Sequence, residues 1–291
     1  MCNSLFKTGT YFQPGLDSSG AARISTLTKL EGVLNHIYFV KDEADSRELK
    51  KKVDCPTAAR TLYKDFLFFK NFVYLEKPLI LCEGKTDAIY LKAAIQNLTA
   101  FHPKLATVQG KSVNLNISFF NYTNLTHKIL DIGGGCGGQL ALVRDYESLM
   151  TKFAYAPLKH PVIVLVDNDS GPGGAGGLFS LVKQKFKINP SLTSNAPFYP
   201  LCHNLFFIKT PEKAGGDGSS KIEDLFNPSF LATAVDGKVF NSSNKKSAEN
   251  EIGKTALARA VRGNADKIDF SHFNVLLNRI VAVIDQYKAG S

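Results

Sequence analysis

The sequence predicts an α/β fold: a mostly parallel sheet flanked by helices, preceded by an all-α segment. Two observations predict it. From Pro78 onward, short apolar runs alternate with amphipathic stretches long enough to be helical crossovers, the arrangement that parallel strands require. Before that point apolar residues recur at spacings of three and four that mark helix faces. A chain of 291 residues with 44% apolar and 21% charged residues has a globular composition and room for two domains. The expected division is a helical segment over residues 1–76 and an α/β domain with a C-terminal helical extension over residues 77–291.

In the first part, Leu27, Leu30, Leu34, Ile37 and Val40 mark one apolar helix face. A second helix starts near Pro56, which suits a first turn, and continues through Ala59, Leu62, Phe66, Phe69 and Val73. Its aromatic run DFLFFKNFVYLE reads as a packing surface rather than a base-stacking one. PLILCE is a short buried strand and KTDAIYLKAAIQNL an amphipathic helix. VNLNISFFNYT suggests an added strand or hairpin, and KILDI a second strand running into GGGCGG and the helix QLALVRDYESLMTKF. HPVIVLVD is a third strand, followed by the glycine-rich NDSGPGGAGG and the helix LFSLVKQKF; NLFFIK is a fourth. KIEDLF is a short acidic helix, and IGKTALARAV and FNVLLNRIVAVIDQYK are two closing helices.

Several function classes are excluded or weakened at once. The five cysteines form no Cys-x-x-Cys pair, which argues for a reducing compartment and against zinc, and gives Cys202-His203 a core or strand-end role. No apolar run approaches the ~18–20 residues of a membrane span, and MCNSLFKTGTYF lacks the apolar core of a signal peptide. No membrane partner is expected, and the expected location is the cytoplasm. A formal charge of +9 favours polyanionic partners. Gly84-Lys85-Thr86 and Gly253-Lys254-Thr255 look like phosphate-loop endings, but the glycine required five residues earlier is replaced by Leu79 and Ala248.

The chemistry therefore falls to acids at strand ends. In a parallel sheet, sites form at the carboxyl ends of strands, where this sequence has Glu83-Gly84, Gly133–Gly135 and Asp167-Asn168-Asp169. Two residues apart in extended backbone, Asp167 and Asp169 share a face. Paired carboxylates favour a hard cation, and Mg²⁺ takes one or two of them together with waters and substrate phosphates. Gly84 and the glycines after the strands leave room for a phosphate backbone. A calcium loop starting at Asp167 is ruled out by Leu178 in its twelfth position, where a bidentate Glu is needed.

The order strand, Glu83-Gly84-x-x-Asp87, helix, strand, glycines, helix, strand, Asp167-x-Asp169 resembles the TOPRIM domain of topoisomerases, bacterial primases and OLD-type nucleases. The OLD-type branch is the most similar, matched also by Gly133-Gly134, by Ile222-Glu223 after the fourth strand, and by Lys254 in a later helix; the insertion over residues 103–127 departs from the pattern. The resemblance implies that Glu83, Asp87 and Lys254 act in catalysis. Glu83, Asp87, Asp167, Asp169 and Glu223 would hold Mg²⁺, with Mn²⁺ able to substitute, and Gly84, Lys85, Gly133 and Gly134 would meet the nucleic acid. The N-terminal part resembles the thumb-side end of retron reverse transcriptases, and its continuation into PTAARTLYKDFLFFKNFVYLEKPLILCEGKTD resembles the class whose polymerase is fused to a C-terminal TOPRIM effector. No Tyr-x-Asp-Asp signature is present, so no polymerase activity is expected from this chain alone.

Together these resemblances imply a Mg²⁺-dependent endonuclease cutting RNA or DNA, the toxic effector of a bacterial anti-phage system. Its partners would be the polymerase palm and fingers and branched RNA–DNA (msDNA); self-association is left open. A topoisomerase would need a tyrosine-bearing cleavage domain, for which the remaining residues leave no room, and a primase would need nucleotide-handling and usually zinc modules, which this sequence does not show. The alternatives are a non-catalytic nucleic-acid-binding or docking module of a reverse transcriptase complex, and a purely structural partner.

Overall fold

The computed structural model describes residues 57–233, 237–241 and 250–290. The chain divides into two compact units, Met1–Tyr63 and Lys64–Ser291. The helix expected over Leu27–Val40, and with it most of the expected all-α segment, lies outside the described residues. What is described begins with helix α1 (Thr57–Phe68), which widens into a π-helical turn over Phe69–Val73.

The second unit is α/β. Its strands, in chain order, are β1 (Leu79–Leu81), β2 (Ala106–Gln109), β3 (Ser112–Leu115), β4 (Ser118–Phe119), β5 (Val162–Val166), β6 (Tyr199–Cys202), β7 (Leu205–Lys209), β8 (Val239–Phe240) and β9 (Glu251–Ile252). Five form the central sheet in the order β4-β1-β5-β7-β6, parallel throughout except for the antiparallel edge strand β6. The all-apolar β5, Val-Ile-Val-Leu-Val, is buried along its whole length, as a central parallel strand covered on both faces must be. Pro200, which cannot donate to a ladder, sits in the edge strand β6, where the register also slips. Cys202 ends that strand and His203 takes the left-handed turn conformation, φ 51°.

Helices cover both faces. They are α2 (Lys85–Asn97), α3 (His102–Leu105), α4 (Asn124–Leu130), α5 (Cys136–Met150), α6 (Ser170–Gly173), α7 (Leu178–Phe186), α8 (Pro228–Thr233), α9 (Lys254–Gly263) and α10 (Asn274–Ala289). Because strand side chains alternate, Ile80, Ile163, Leu165, Phe206 and Ile208 pack in one cluster with α2, α9 and α10. In α10 the apolar face is Leu276, Leu277, Ile280, Val283 and Ile284, spaced one helical turn apart and buried. Phe226 anchors this layer, with ring centroids 5.0 Å from Phe273 and 5.1 Å from Tyr90. A separate aromatic cluster joins Phe68 and Phe72 to Tyr146 of α5, to Phe153 and to Phe120. The aromatic run therefore packs into the α/β unit's own core.

One strand assignment is corrected. KILDI is not the second strand: it is the end of α4 and its left-handed cap, Asp131 at φ 60°. A capping box decides this, with the Thr126 N–H donating to Thr123 Oγ1 at 3.1 Å and the Thr123 N–H donating to Thr126 Oγ1 at 2.9 Å. Thr126, Ile129 and Leu130 then fall on one buried helical face. The strand beside β1 is instead β4, two residues long, drawn from the insertion that also forms the β2–β3 hairpin.

The sheet order sets the site. From β1 the chain moves outward to β4, then crosses back over β1 to form β5 on its other side. The crevice where the order reverses is thus at the C-terminal ends of β1 and β5, the place where open α/β sheets bind ligands. Gln139 of α5, fully buried, spans that crevice, its Nε2 donating to the carbonyls of Leu81 and Leu165 at 3.0 Å each. Tyr122 Oη donates to the Cys82 carbonyl at 2.6 Å. These side chains provide donors to the carbonyls at the ends of β1 and β5.

Candidate active site

Glu83 and Asp87 follow β1, and Asp167 and Asp169 follow β5, so both pairs rise from the crevice. Gly84 starts α2 in extended conformation and Asp87 caps it: Asp87 Oδ2 accepts from the Gly84 N–H at 2.7 Å and Oδ1 from the Thr86 hydroxyl at 3.2 Å. Across the crevice, Asp167 Oδ1 accepts from the Ile222 N–H at 2.9 Å, and the Asp167 N–H approaches Glu83 Oε2 at 3.5 Å. The bond to Ile222 fixes the 3₁₀ turn Ile222–Leu225 against β5 and brings in Glu223, which is 2% exposed. Glu223 Oε2 has no hydrogen-bond partner, and Oε1 has the Lys254 ammonium at 3.0 Å, off the hydrogen-bond direction. Lys254 opens α9, and the Tyr90 hydroxyl donates to its carbonyl at 3.3 Å, tying α9 to α2.

The fold thus gathers Glu83, Asp87, Asp167, Glu223 and Lys254, acids and base from four separate segments. Their electrostatics record the crowding. Burial, then Asp87, Glu223 and Glu83, push the Asp167 carboxyl up to about 8. Burial and the neighbouring Glu223 push Asp87 up to about 6, against the Gly84 hydrogen bond. Burial also raises Glu83, with Asp169 adding to it. For Lys254, burial works against the charge, but Glu223, Asp167 and Asp87 together outweigh it and hold the ammonium above its ordinary value.

Asp169 stands at the rim of this cluster. It is half-buried, bears on Glu83, and caps the short α6 through its Oδ1, which accepts from the Gly171 N–H at 2.9 Å. Among the described residues, no three His, Cys, Asp or Glu side chains already close on a single point at metal-binding distance. The donor chemistry nonetheless fits Mg²⁺, a hard cation that takes one or two carboxylates directly and reaches others through water. A buried, unpartnered Glu223 oxygen near an Asp167 carboxyl whose pKa is pushed up by burial and by its acidic neighbours is what such a cation relieves.

The predicted glycines divide by role. Gly84 holds the cap, since a Cβ there would lie 3.2 Å from Asp87 Oδ1. Gly133 makes room for the His127 ring, whose Nδ1 would be 2.8 Å from an added Cβ, so its lack of a side chain is taken up by the protein itself. Gly134 has only the Glu83 carbonyl near it, at 3.9 Å, and stays open. The Gly135 N–H donates to that same carbonyl at 2.8 Å, holding the glycine turn against the end of β1. Lys85 is exposed on the first turn of α2.

Three residues at the site were not singled out by sequence reasoning. Asn168, fully buried, clamps the Asp-x-Asp turn. Its Nδ2 donates to the Leu192 and Gly218 carbonyls at 2.8 Å each, its N–H donates to Thr210 Oγ1 at 2.8 Å, and its carbonyl accepts from the Ser220 N–H at 2.8 Å. It was legible in principle as the middle residue of Asp-x-Asp, which must face away from its neighbours. Lys221, between the Asn168-paired Ser220 and the Asp167-bound Ile222, bears on Glu83. Gly138 was hidden among other glycines: a Cβ there would fall 2.2 Å from the Gly133 carbonyl oxygen.

No protein-family model matches the chain, and no solved structure matches it.

Proposed function

We propose that the chain is a TOPRIM-type, Mg²⁺-dependent endonuclease acting on RNA or DNA. One observation carries the reading: acids from the ends of β1 and β5 and from the Ile222–Leu225 turn converge with a lysine at the sheet's switch point, and one buried carboxylate oxygen is left without a partner. Asp167 and Glu223 would hold the cation, with Asp169 reaching it from the rim and Glu83 beside Asp167. When bound, Mg²⁺ would lower the pKa of a coordinated water and polarise the phosphodiester.

The chain's own residues supply the remainder. Glu83, half-buried and raised by burial, is placed to accept the attacking water's proton on a carboxylate oxygen. Lys254, kept protonated by its acidic neighbours, directs its ammonium at the charge that develops on the phosphoryl oxygens. Asp87 keeps α2 in place through its cap and adds negative charge next to Glu223. Hydrolysis needs no protein nucleophile on a further domain.

Within that reading, the resemblance of the N-terminal part to retron reverse transcriptases supports a role as the effector of an anti-phage system, restrained by a polymerase and branched RNA–DNA. The test is cleavage of RNA and DNA pools with Mg²⁺ or Mn²⁺ by wild type, Asp167→Asn and Asp169→Asn. Cleavage by wild type that both variants lose is expected. Absence of cleavage by the purified protein, also when freed from restraining partners, would sink the nuclease reading. Equal cleavage by the variants would sink the site assignment.

A further inference from the structure

A cluster of four acids repels the phosphates it is meant to cut, so a polyanionic substrate needs positive charge beside the site to offset that repulsion. Helix α9 begins inside the cluster with Lys254 and runs out of it. Its buried face is Leu257, Ala258 and Val261. On the opposite side, Thr255, Arg259 and Arg262 are exposed and fall within about 60° of arc, at ~100° per residue. From Thr255 to Arg262 the face extends ~10 Å along the helix, enough to pass about three phosphates of one strand at ~3.4 Å each.

The ordinary alternative is a solvated helix face, and two observations weigh against it. Among the described residues neither arginine has an ion pair, and Arg259 has no acid three or four residues away on either side. Arg259 and Arg262 are themselves three apart, an arrangement that sets like charges side by side and destabilises a helix unless an anion lies between them. The guanidinium fork matches a phosphate in two parallel hydrogen bonds. Two exposed guanidinium groups thus lie on the helix whose first residue, Lys254, meets the acidic cluster.

We propose that the exposed face of α9, through Thr255, Arg259 and Arg262, carries the sugar–phosphate backbone of the nucleic-acid strand leading to the carboxylate cluster. The proposal rests on the nuclease reading and adds to it the path of the substrate. No base edges are read along this face; it recognises phosphate alone, so it grips strands of any sequence.

The test uses the full chain carrying Asp167→Asn, so that substrate is not consumed, and measures fluorescence anisotropy with labelled single-stranded DNA, single-stranded RNA and duplex DNA of equal length. Adding Arg259→Ala with Arg262→Ala is expected to weaken binding of the preferred strand about tenfold and to flatten the slope of log affinity against log salt by about 1.4, two contacts at ~0.7 each for a single strand. The paired Arg→Lys changes should keep that slope. Alanine at exposed helical positions favours the helix, so a folding loss is not expected, and circular dichroism checks it. The control is Lys159→Ala with Lys288→Ala, which removes the same charge beside His160, just ahead of β5 at the N-terminal ends of the strands, opposite the end that carries the cluster. If the arginine pair behaves like the control pair, the track is wrong and the nuclease reading stands. If the Asp167→Asn chain binds none of the three probes at low salt, the nuclease reading falls and takes the track with it.

Discussion

Replacing Asp167 by Asn tests the acidic cluster by its energetics, independently of any substrate. In the folded chain the Asp167 carboxyl is pushed from its ordinary 3.8 up to about 8. Between those values the folded state holds a proton that the unfolded state has released, so stability falls as pH rises through the window, at up to ~1.4 kcal/mol per pH unit. By pH 7 the metal-free protein has lost on the order of 4 kcal/mol at this position. Asp87, raised to about 6, loses stability over the lower part of the same window, but the two groups are coupled and their losses do not add. Asn keeps the acceptor for the Ile222 N–H, whose bond to Oδ1 is 2.9 Å, and removes the charge. Allowing for relaxation, Asp167→Asn should stabilise the metal-free protein by about 2 kcal/mol at pH 7, raising Tm by roughly 4–8 °C. Thermal melts in chelator at pH 5 and pH 8 measure this. The gap between variant and wild type should widen with pH, and Mg²⁺ should raise the wild-type Tm and narrow it. A gap that does not change with pH, or a variant that melts below wild type throughout, would refute the picture of mutually raised carboxyls.

Three further outcomes follow from particular contacts. Gly138→Ala should destabilise by about 2–4 kcal/mol, because its Cβ would collide with the Gly133 backbone, whereas Gly137→Ala, with nothing within 4 Å, should be neutral within about 0.5 kcal/mol; paired denaturant titrations compare them. Asn168→Asp should cost more than Asn168→Ala, which itself loses two side-chain hydrogen bonds worth about 1 kcal/mol each. The aspartate buries a further negative charge between Asp167 and Asp169, and Tm in chelator ranks the two. In the triad at the end of β7, formed by buried Lys209 and Arg279 with half-buried Glu212, Arg279 donates to the Lys209 carbonyl at 2.9 Å and to Glu212 at 2.7 Å, while Lys209 pairs with Glu212. Arg279→Leu should therefore cost about 2–4 kcal/mol by orphaning a buried carbonyl and a carboxylate contact. Lys209→Met should cost about 1 kcal/mol or less, because a balanced Arg279–Glu212 pair remains; urea unfolding distinguishes the two.

Local sequence determined much of this protein. Helices α2, α5, α7, α9 and α10 and strands β1, β5 and β7 follow from periodicity and caps, because amphipathic spacing and an all-apolar run each permit only one arrangement against a core. The acids at the ends of β1 and β5 were legible for the same reason: the end of a parallel strand is fixed once the strand is recognised. The second strand was misread because KILDI is as apolar as a strand, and the capping box of Thr123 and Thr126 outweighs that resemblance. What only the tertiary structure decided is the pairing across sequence distance. Nothing local says that β1 and β5 are neighbours, that Ile222 hydrogen-bonds Asp167, or that Lys254 meets Glu223. Those contacts depend on sheet order and crossover, and they turn scattered acids into one cluster whose carboxyl pKa values are raised by burial and by one another.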